Sequence, residues 1–204
     1  PVVLWLAESG ANPLQTPLIW ESRDYPERAW RAFLGALPLV AKERAVRVIV
    51  KARQGEVAPL VTKWRDDLSR MWASVGVEGF GVTDSPLREV LPEASVVVHQ
   101  DSNGGVEALH LGIPCVSLTR PGGELFDRAD GVPVLRIDHE DIESALADAI
   151  LRSLEARDTN YLKEVAVRFN LGAKGGGSVE SVCRTIGRIV SGGVPAVSET
   201  RELV

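Results

Sequence analysis

The stretch His99-Gln100-Asp101-Ser102-Asn103-Gly104-Gly105-Val106-Glu107 carries residue types suited to holding an anion. It leads from an apolar run at 95–98 into a segment with helical spacing, so it reads as a strand passing through a short turn into a helix. The first N–H groups of a helix have no partner within it, and its dipole is positive there, which favours a phosphate. Gly104 and Gly105 let a ligand approach bare backbone, while Ser102 or Asn103 caps the helix and turns a polar group toward the same ligand. Glu107 follows in or just past the first turn, where a carboxylate can accept two hydrogen bonds from ribose hydroxyls. Ser and Asn are ordinary caps in any case. Paired glycines are harder to explain by structure alone, since each costs a helix about 1 kcal/mol relative to alanine.

Other loops offer candidates at the same edge. Lys51 and Arg53 stand two residues apart where a strand ends, so an extended chain points both to one side, where two cations would suit a diphosphate. Solvated surface residues explain that pair equally well. Arg120 and Gly122 belong to a glycine-rich loop after a later strand, which reads equally as a plain turn, and Ser9 and Gly10 open the loop after the first strand. Thr83 and Leu87 border a short helix that can line a nucleobase, although a capped turn accounts for them more simply. His99 ends a strand within reach of the same ligand. Asp138-His139-Glu140-Asp141 reads as a helix cap with an acidic first turn, because its spacing fits no common metal-ligand set. Asp66 and Asp67 read as a solvated helix face.

The rest of the chain excludes several classes of function. Neither GxGxxG nor a Walker sequence is present, which disfavours a dinucleotide-dependent dehydrogenase and a P-loop ATPase. No Ser–His–Asp set assembles from spacing, and neither Cys115 nor Cys183 has an evident activating base. With 23 basic and 28 acidic residues the net charge is −5, so nucleic acid is not an expected partner. The two cysteines read as buried thiols of a reducing compartment, and no apolar run approaches the roughly 20 residues of a membrane span. The expected location is the cytoplasm. An abrupt start at Pro1-Val2-Val3-Leu4 points to a piece of something longer.

These loops need a scaffold, and the patterning supplies one. Apolar strands are expected at 2–7, 45–51, 77–82, 95–99, 114–118 and 132–137. Between them lie helices at 25–42, 59–75, 85–90 and 103–111, with Pro38 predicting a kink or early end in the first and Pro86 suited to the first turn of the third. Gly112 caps the fourth, and residues 139–190 are expected to be helical in two or three pieces. The strands read as continuous Val, Ile and Leu, as strands covered on both faces do. The reading is one doubly wound α/β domain with a mainly parallel, Rossmann-like sheet over residues 1–190 and a C-terminal tail over 191–204. Ligands of such sheets sit beyond the carboxyl ends of the strands, where the strand order reverses.

The segment DSNGGVEALHLGIPCVSL (Asp101 to Leu118) resembles the donor-binding segment of GT-B glycosyltransferases, most closely the capsule, teichoic-acid and polysialic-acid type. Ser102, Glu107, Gly112 and Pro114 fill that pattern's Ser, Glu-Ala-Leu and Gly-x-Pro positions. The non-hydrolysing UDP-N-acetylglucosamine 2-epimerases, of related fold, carry a similar Ser-Gly-Gly-x-x-Glu stretch. VIVKARQGE (Val48 to Glu56) resembles the strand-Lys-Pro-His-Pro segment of the capsule-type enzymes, with Arg53 in place of the His and Gln54 in place of the following Pro. VTDSPLREVLPEASVVVHQDS resembles their short helix and the strand leading to the Ser, and FNLGAKGGGSVESVCRTIGRIV (Phe169 to Val190) their glycine-rich turn and last helix.

The resemblance implies a nucleotide-sugar donor as substrate, bound without a metal or other cofactor by one half of a GT-B fold. Ser102, Asn103, Gly104, Gly105, Lys51 and Arg53 would meet the donor phosphates, and Glu107 the ribose. Such enzymes react between two Rossmann-like domains, so this chain would be the donor half of a glycosyltransferase of surface polysaccharide or glycoconjugate synthesis. Alone it would bind nucleotide without turnover, its partner being an N-terminal acceptor domain. The alternatives are a UDP-sugar 2-epimerase-type protein and a non-catalytic, degenerate GT-B module; Arg53 in the His position lends weight to the latter, because a guanidinium neutralises charge but does not donate a proton near neutral pH.

Overall fold

The computed structural model describes residues 1–7, 25–52, 58–75, 79–100, 102–119, 132–156, 160, 162 and 163. Chain contacts divide the protein into the units Pro1–Ala166 and Val167–Val204, and the second lies outside the described residues. The first is built on six strands: β1 (Val2–Leu6), β2 (Arg47–Lys51), β3 (Phe80–Thr83), β4 (Val96–His99), β5 (Cys115–Thr119) and β6 (Val134–Arg136). Every pairing is parallel and the order is β3-β2-β1-β4-β5-β6. β1 therefore pairs with both β2 and β4, and the chain reverses its direction of sheet growth between β1 and β4. The expected Rossmann-like sheet is present.

Alternation along the strands sorts the core into two faces. Val3, Trp5, Val48, Val50, Val96, Val98, Val116 and Leu118 share a cluster with α1 (Tyr25–Glu43), α2 (Ala58–Val75) and α5 (Ile142–Glu155). Trp5 stacks on Phe33 of α1 with centroids 4.5 Å apart, and Trp30 packs near both Trp5 and Trp64. Leu4, Leu6, Ile49 and Val97 point the other way, toward α3 (Leu87–Val90), a 3-10 turn at Leu91–Glu93, and α4 (Asn103–His110). Both faces are thus covered, which is why the strands lack polar alternation.

Several boundaries differ from the sequence expectation for identifiable reasons. α1 runs through Pro38 to Glu43 without ending early. Leu34, whose carbonyl loses its Pro38 partner, is only partly buried, and buried Phe33, Leu37 and Val40 hold the helix to the sheet on both sides of the proline. β3 begins at Phe80, directly after Gly79, whose φ of 115° lies outside extended geometry, and Val77 lies outside the described residues. Pro86 occupies the N-cap of α3 instead of its first turn, and the Ser85 N–H is satisfied by Thr83 Oγ1 at 3.1 Å. Gly112, at a φ of 73°, follows the C-cap residue Leu111 of α4 in the expected terminating role.

Candidate functional site

The strand order puts the reversal point between the carboxyl ends of β1 and β4, so the turn leaving β4 borders it. That turn is the Ser102–Gly105 segment. Ser102 has extended backbone and caps α4, its Oγ accepting the Gly104 N–H at 3.3 Å. Its carbonyl accepts the Gly105 N–H at 2.9 Å, and its own N–H donates to His99 Nδ1 at 3.3 Å. Asn103, whose side chain is exposed, contributes the remaining amide of the turn. The amides of Ser102, Gly104 and Gly105 are thus engaged within the protein rather than bare.

The glycines have a packing reason that the sequence does not reveal. A Cβ on Gly104 would stand 2.6 Å from Leu6 Cδ1 and 2.9 Å from Leu87 Cδ2; one on Gly105 would stand 2.3 Å from His99 Nε2. Their missing side chains let α4 settle onto the sheet and bring Leu87 of α3 against the turn. The opposite side of α4 is open: Asn103 and Glu107, four residues apart, are both exposed and share a helix face. Glu107 makes no ion pair with a described residue.

His99 does not reach this open side. It is 0% exposed, its ring lies against Gly105, and burial pushes its pKa down to about 3, so it is neutral at ordinary pH. Its cross-strand neighbour Ser117 is also buried, and the Ser117 hydroxyl has no hydrogen-bond partner among the described residues.

Lys51 ends β2 beside Leu6 of β1 and Thr83 of β3, and is 8% exposed. Its ammonium donates to the Ala52 carbonyl. Burial lowers its pKa, and the nearby Asp84 carboxylate opposes that shift. Asp84 is thus a charge partner of Lys51 that the linear sequence did not single out; the strand register, which pairs Lys51 with Thr83, carries the signal. Beside them a cavity of about 320 Å³ opens between β2, β3 and α3, lined by Arg47, Ile49, Gly81, Thr83, Ser85 and Glu89. The Thr83 hydroxyl donates to Ser85 Oγ at 3.0 Å.

The structure therefore gathers Ser102, Asn103, Gly104, Gly105 and Leu87 around one turn, and sets Lys51 and Thr83 along the same sheet edge. Arg53, Ser9, Gly10, Arg120 and Gly122 lie outside the described residues. Two acidic pairs differ from expectation. Asp138 pairs with Arg136 at 2.9 Å rather than capping α5, whose N-cap residue Asp141 makes no side-chain cap bond. Asp67 is a partly buried hub that accepts Trp30 Nε1 at 2.9 Å and pairs with Lys63 and Arg70, while Asp66 is solvated as expected. Among the described residues no group of three or more His, Cys, Asp or Glu could hold a metal, and no helix is long and apolar enough to cross a membrane.

No protein-family model and no curated protein matches the sequence. Solved structures match by shape. A Listeria monocytogenes protein assigned as a UDP-N-acetylglucosamine 2-epimerase is 15% identical with a TM-score of 0.57, over 94% of this chain and 45% of its own. HepE from Anabaena, solved in complex with UDP, is 17% identical with a TM-score of 0.54, over 93% of this chain and 48% of its own. MurG from Acinetobacter baumannii is 11% identical with a TM-score of 0.51, over 90% and 49%. The fold is a Rossmann-like domain of the GT-B type. This chain spans about half the length of the chains it matches.

Proposed function

We propose that the chain is a nucleotide-sugar donor-binding domain of a GT-B glycosyltransferase for surface polysaccharide or glycoconjugate synthesis. The observation that carries this reading is the place of α4: its cap abuts the sheet's reversal point, and its exposed face presents Asn103 and Glu107 there. Glu107 accepts the ribose hydroxyls. The diphosphate meets the Asn103 amide and the positive end of α4, while the Ser102 and Gly104 amides keep their bonds within the turn. Lys51 and Arg53 add cationic charge, Leu87 and Thr83 flank the base, and the loops bearing Ser9, Gly10, Arg120 and Gly122 complete the wall. The chemical contribution is electrostatic stabilisation of the departing nucleoside diphosphate, without a metal. A second domain supplies the acceptor contacts, in keeping with the match to under half of each solved chain, and this domain alone binds without turnover.

Thermal shift and calorimetry with UDP, CDP and GDP test this. One of them should raise the melting temperature, and Glu107→Ala should weaken its binding by about 1.5–3 kcal/mol through loss of a charged hydrogen bond, with folding unchanged. Absence of binding by all three would refute the reading. Epimerisation of the sugar itself is the second reading, supported by the Listeria neighbour's TM-score of 0.57; supplying a UDP-sugar to the longer parent and looking for a C2 epimer rather than a transferred sugar separates the two.

A further inference from the structure

We propose that His99 is the positioning residue of the α4 turn, acting through its Nδ1 on the Ser102 amide and never meeting the ligand itself; its consequence for affinity rests on the donor-binding reading above.

Three independent observations converge on the imidazole. First, Ser102 N–H donates to His99 Nδ1 at 3.3 Å, so the last residue of β4 grips the cap of the helix that follows. Second, the ring lies flat against Gly105: a Cβ there would stand 2.3, 2.6 and 2.7 Å from Nε2, Cδ2 and Cε1. Third, the side chain is fully buried at the end of β4, which pairs directly with β5 on one side and β1 on the other. The imidazole is thereby a rigid spacer between the sheet and the first turn of α4. It sets both the height of that turn, by contact with Gly105, and its rotation, by the bond to Ser102.

The protonation state fits the task. An imidazolium would donate from both nitrogens and repel the Ser102 N–H. Burial holds the ring neutral well below ordinary pH, which keeps Nδ1 as an acceptor and puts the ring proton on Nε2. The Ser102 amide, thus fixed, aligns Ser102 Oγ on the Gly104 N–H and leaves the Asn103 amide as the turn's outward donor.

Two substitutions in the 204-residue chain separate positioning from bulk packing. His99→Asn keeps an acceptor near the position of Nδ1 but loses ring volume; His99→Leu keeps apolar volume but has no acceptor. Positioning predicts that Leu weakens nucleotide binding roughly tenfold and speeds exchange of the Ser102 amide hydrogen, while Asn restores both close to wild type despite a lower melting temperature. A purely structural role predicts the reverse order, with affinity and Ser102 exchange following the melting temperature and Leu superior to Asn; that result would overturn the proposal. Should the wild-type chain bind no nucleotide, the donor-binding reading falls, and the Ser102 exchange order in the two variants still decides the role of His99.

Discussion

Replacing Gly105 with alanine separates two explanations of the paired glycines. If Gly105 exists only to admit a ligand, Gly105→Ala should stabilise the ligand-free chain by about 1 kcal/mol, the helix-propensity difference, and weaken binding. The structure argues the opposite sign. The new Cβ would lie 2.3 to 2.7 Å from three atoms of the His99 ring, which is fully buried at a strand end and has nowhere to turn. Overpacking of a tight core costs about 1–3 kcal/mol, and a contact this close with a rigid ring belongs in the upper part of that range. Subtracting the propensity gain leaves a net loss of about 1–2 kcal/mol, or roughly 3–6 °C in melting temperature for a chain of this size. Gly104→Ala meets only the flexible ends of Leu6 and Leu87 and should lose less. Gly81→Ala, with nothing within 4 Å of its Cβ, should gain about 0.5–1 kcal/mol. Urea titration of the three variants reads these differences as midpoint shifts at constant slope. A Gly105→Ala chain as stable as wild type or more so would refute the packing argument.

Other outcomes follow from buried groups. The His99 pKa is about 3 in the folded chain against an ordinary 6.5, so the unfolded chain takes up the proton first; stability should fall from pH 6.5 downward by about 1.4 kcal/mol per unit from this group, and His99→Leu should flatten urea midpoints measured between pH 7 and pH 5. Burial pushes the Cys115 thiol up to about 12, so iodoacetamide at pH 8 should leave Cys115 unmodified in the native chain and alkylate it in urea, as read by mass spectrometry. Tyr25→Phe removes the 2.6 Å bond from its hydroxyl to the buried Leu118 carbonyl and should lower stability by about 1–2 kcal/mol in the same titrations.

The sheet was legible because doubly covered parallel strands must be apolar throughout, and runs such as Val48-Ile49-Val50 and Val96-Val97-Val98 have no other economical reading. Element limits were less legible wherever tertiary contact overrides local preference. Pro38 remains inside α1 because core residues on either side of it hold the helix down. Asp67 resembles any surface carboxylate until α1 and α2 are brought together and Trp30 Nε1 points at it. The candidate turn was found from glycine and serine chemistry alone, yet the reason for its glycines was not, since the atoms that would clash come from Leu6 and Leu87 as well as His99. The contacts with Leu6 and Leu87 are long-range, and no spacing rule contains them.

The two sides of α4 reconcile those findings with a binding role. Its inner stripe of Gly104, Gly105, Ala108 and Leu109 is buried against the sheet, and its outer stripe of Asn103 and Glu107 faces away. A residue larger than glycine at the first turn would hold the helix off the strands and carry its positive end away from the reversal point between β1 and β4. On the proposed donor-binding reading, the glycines would serve an anion by how closely they let the helix sit, not by offering it bare amides. The buried imidazole of His99 then fixes how far that approach goes. A helix seated by its inner face leaves its outer face free to vary in sequence without loss of stability. On that argument Glu107 is a residue that packing does not require, and nucleotide affinity, rather than melting temperature, is the quantity that should register its removal.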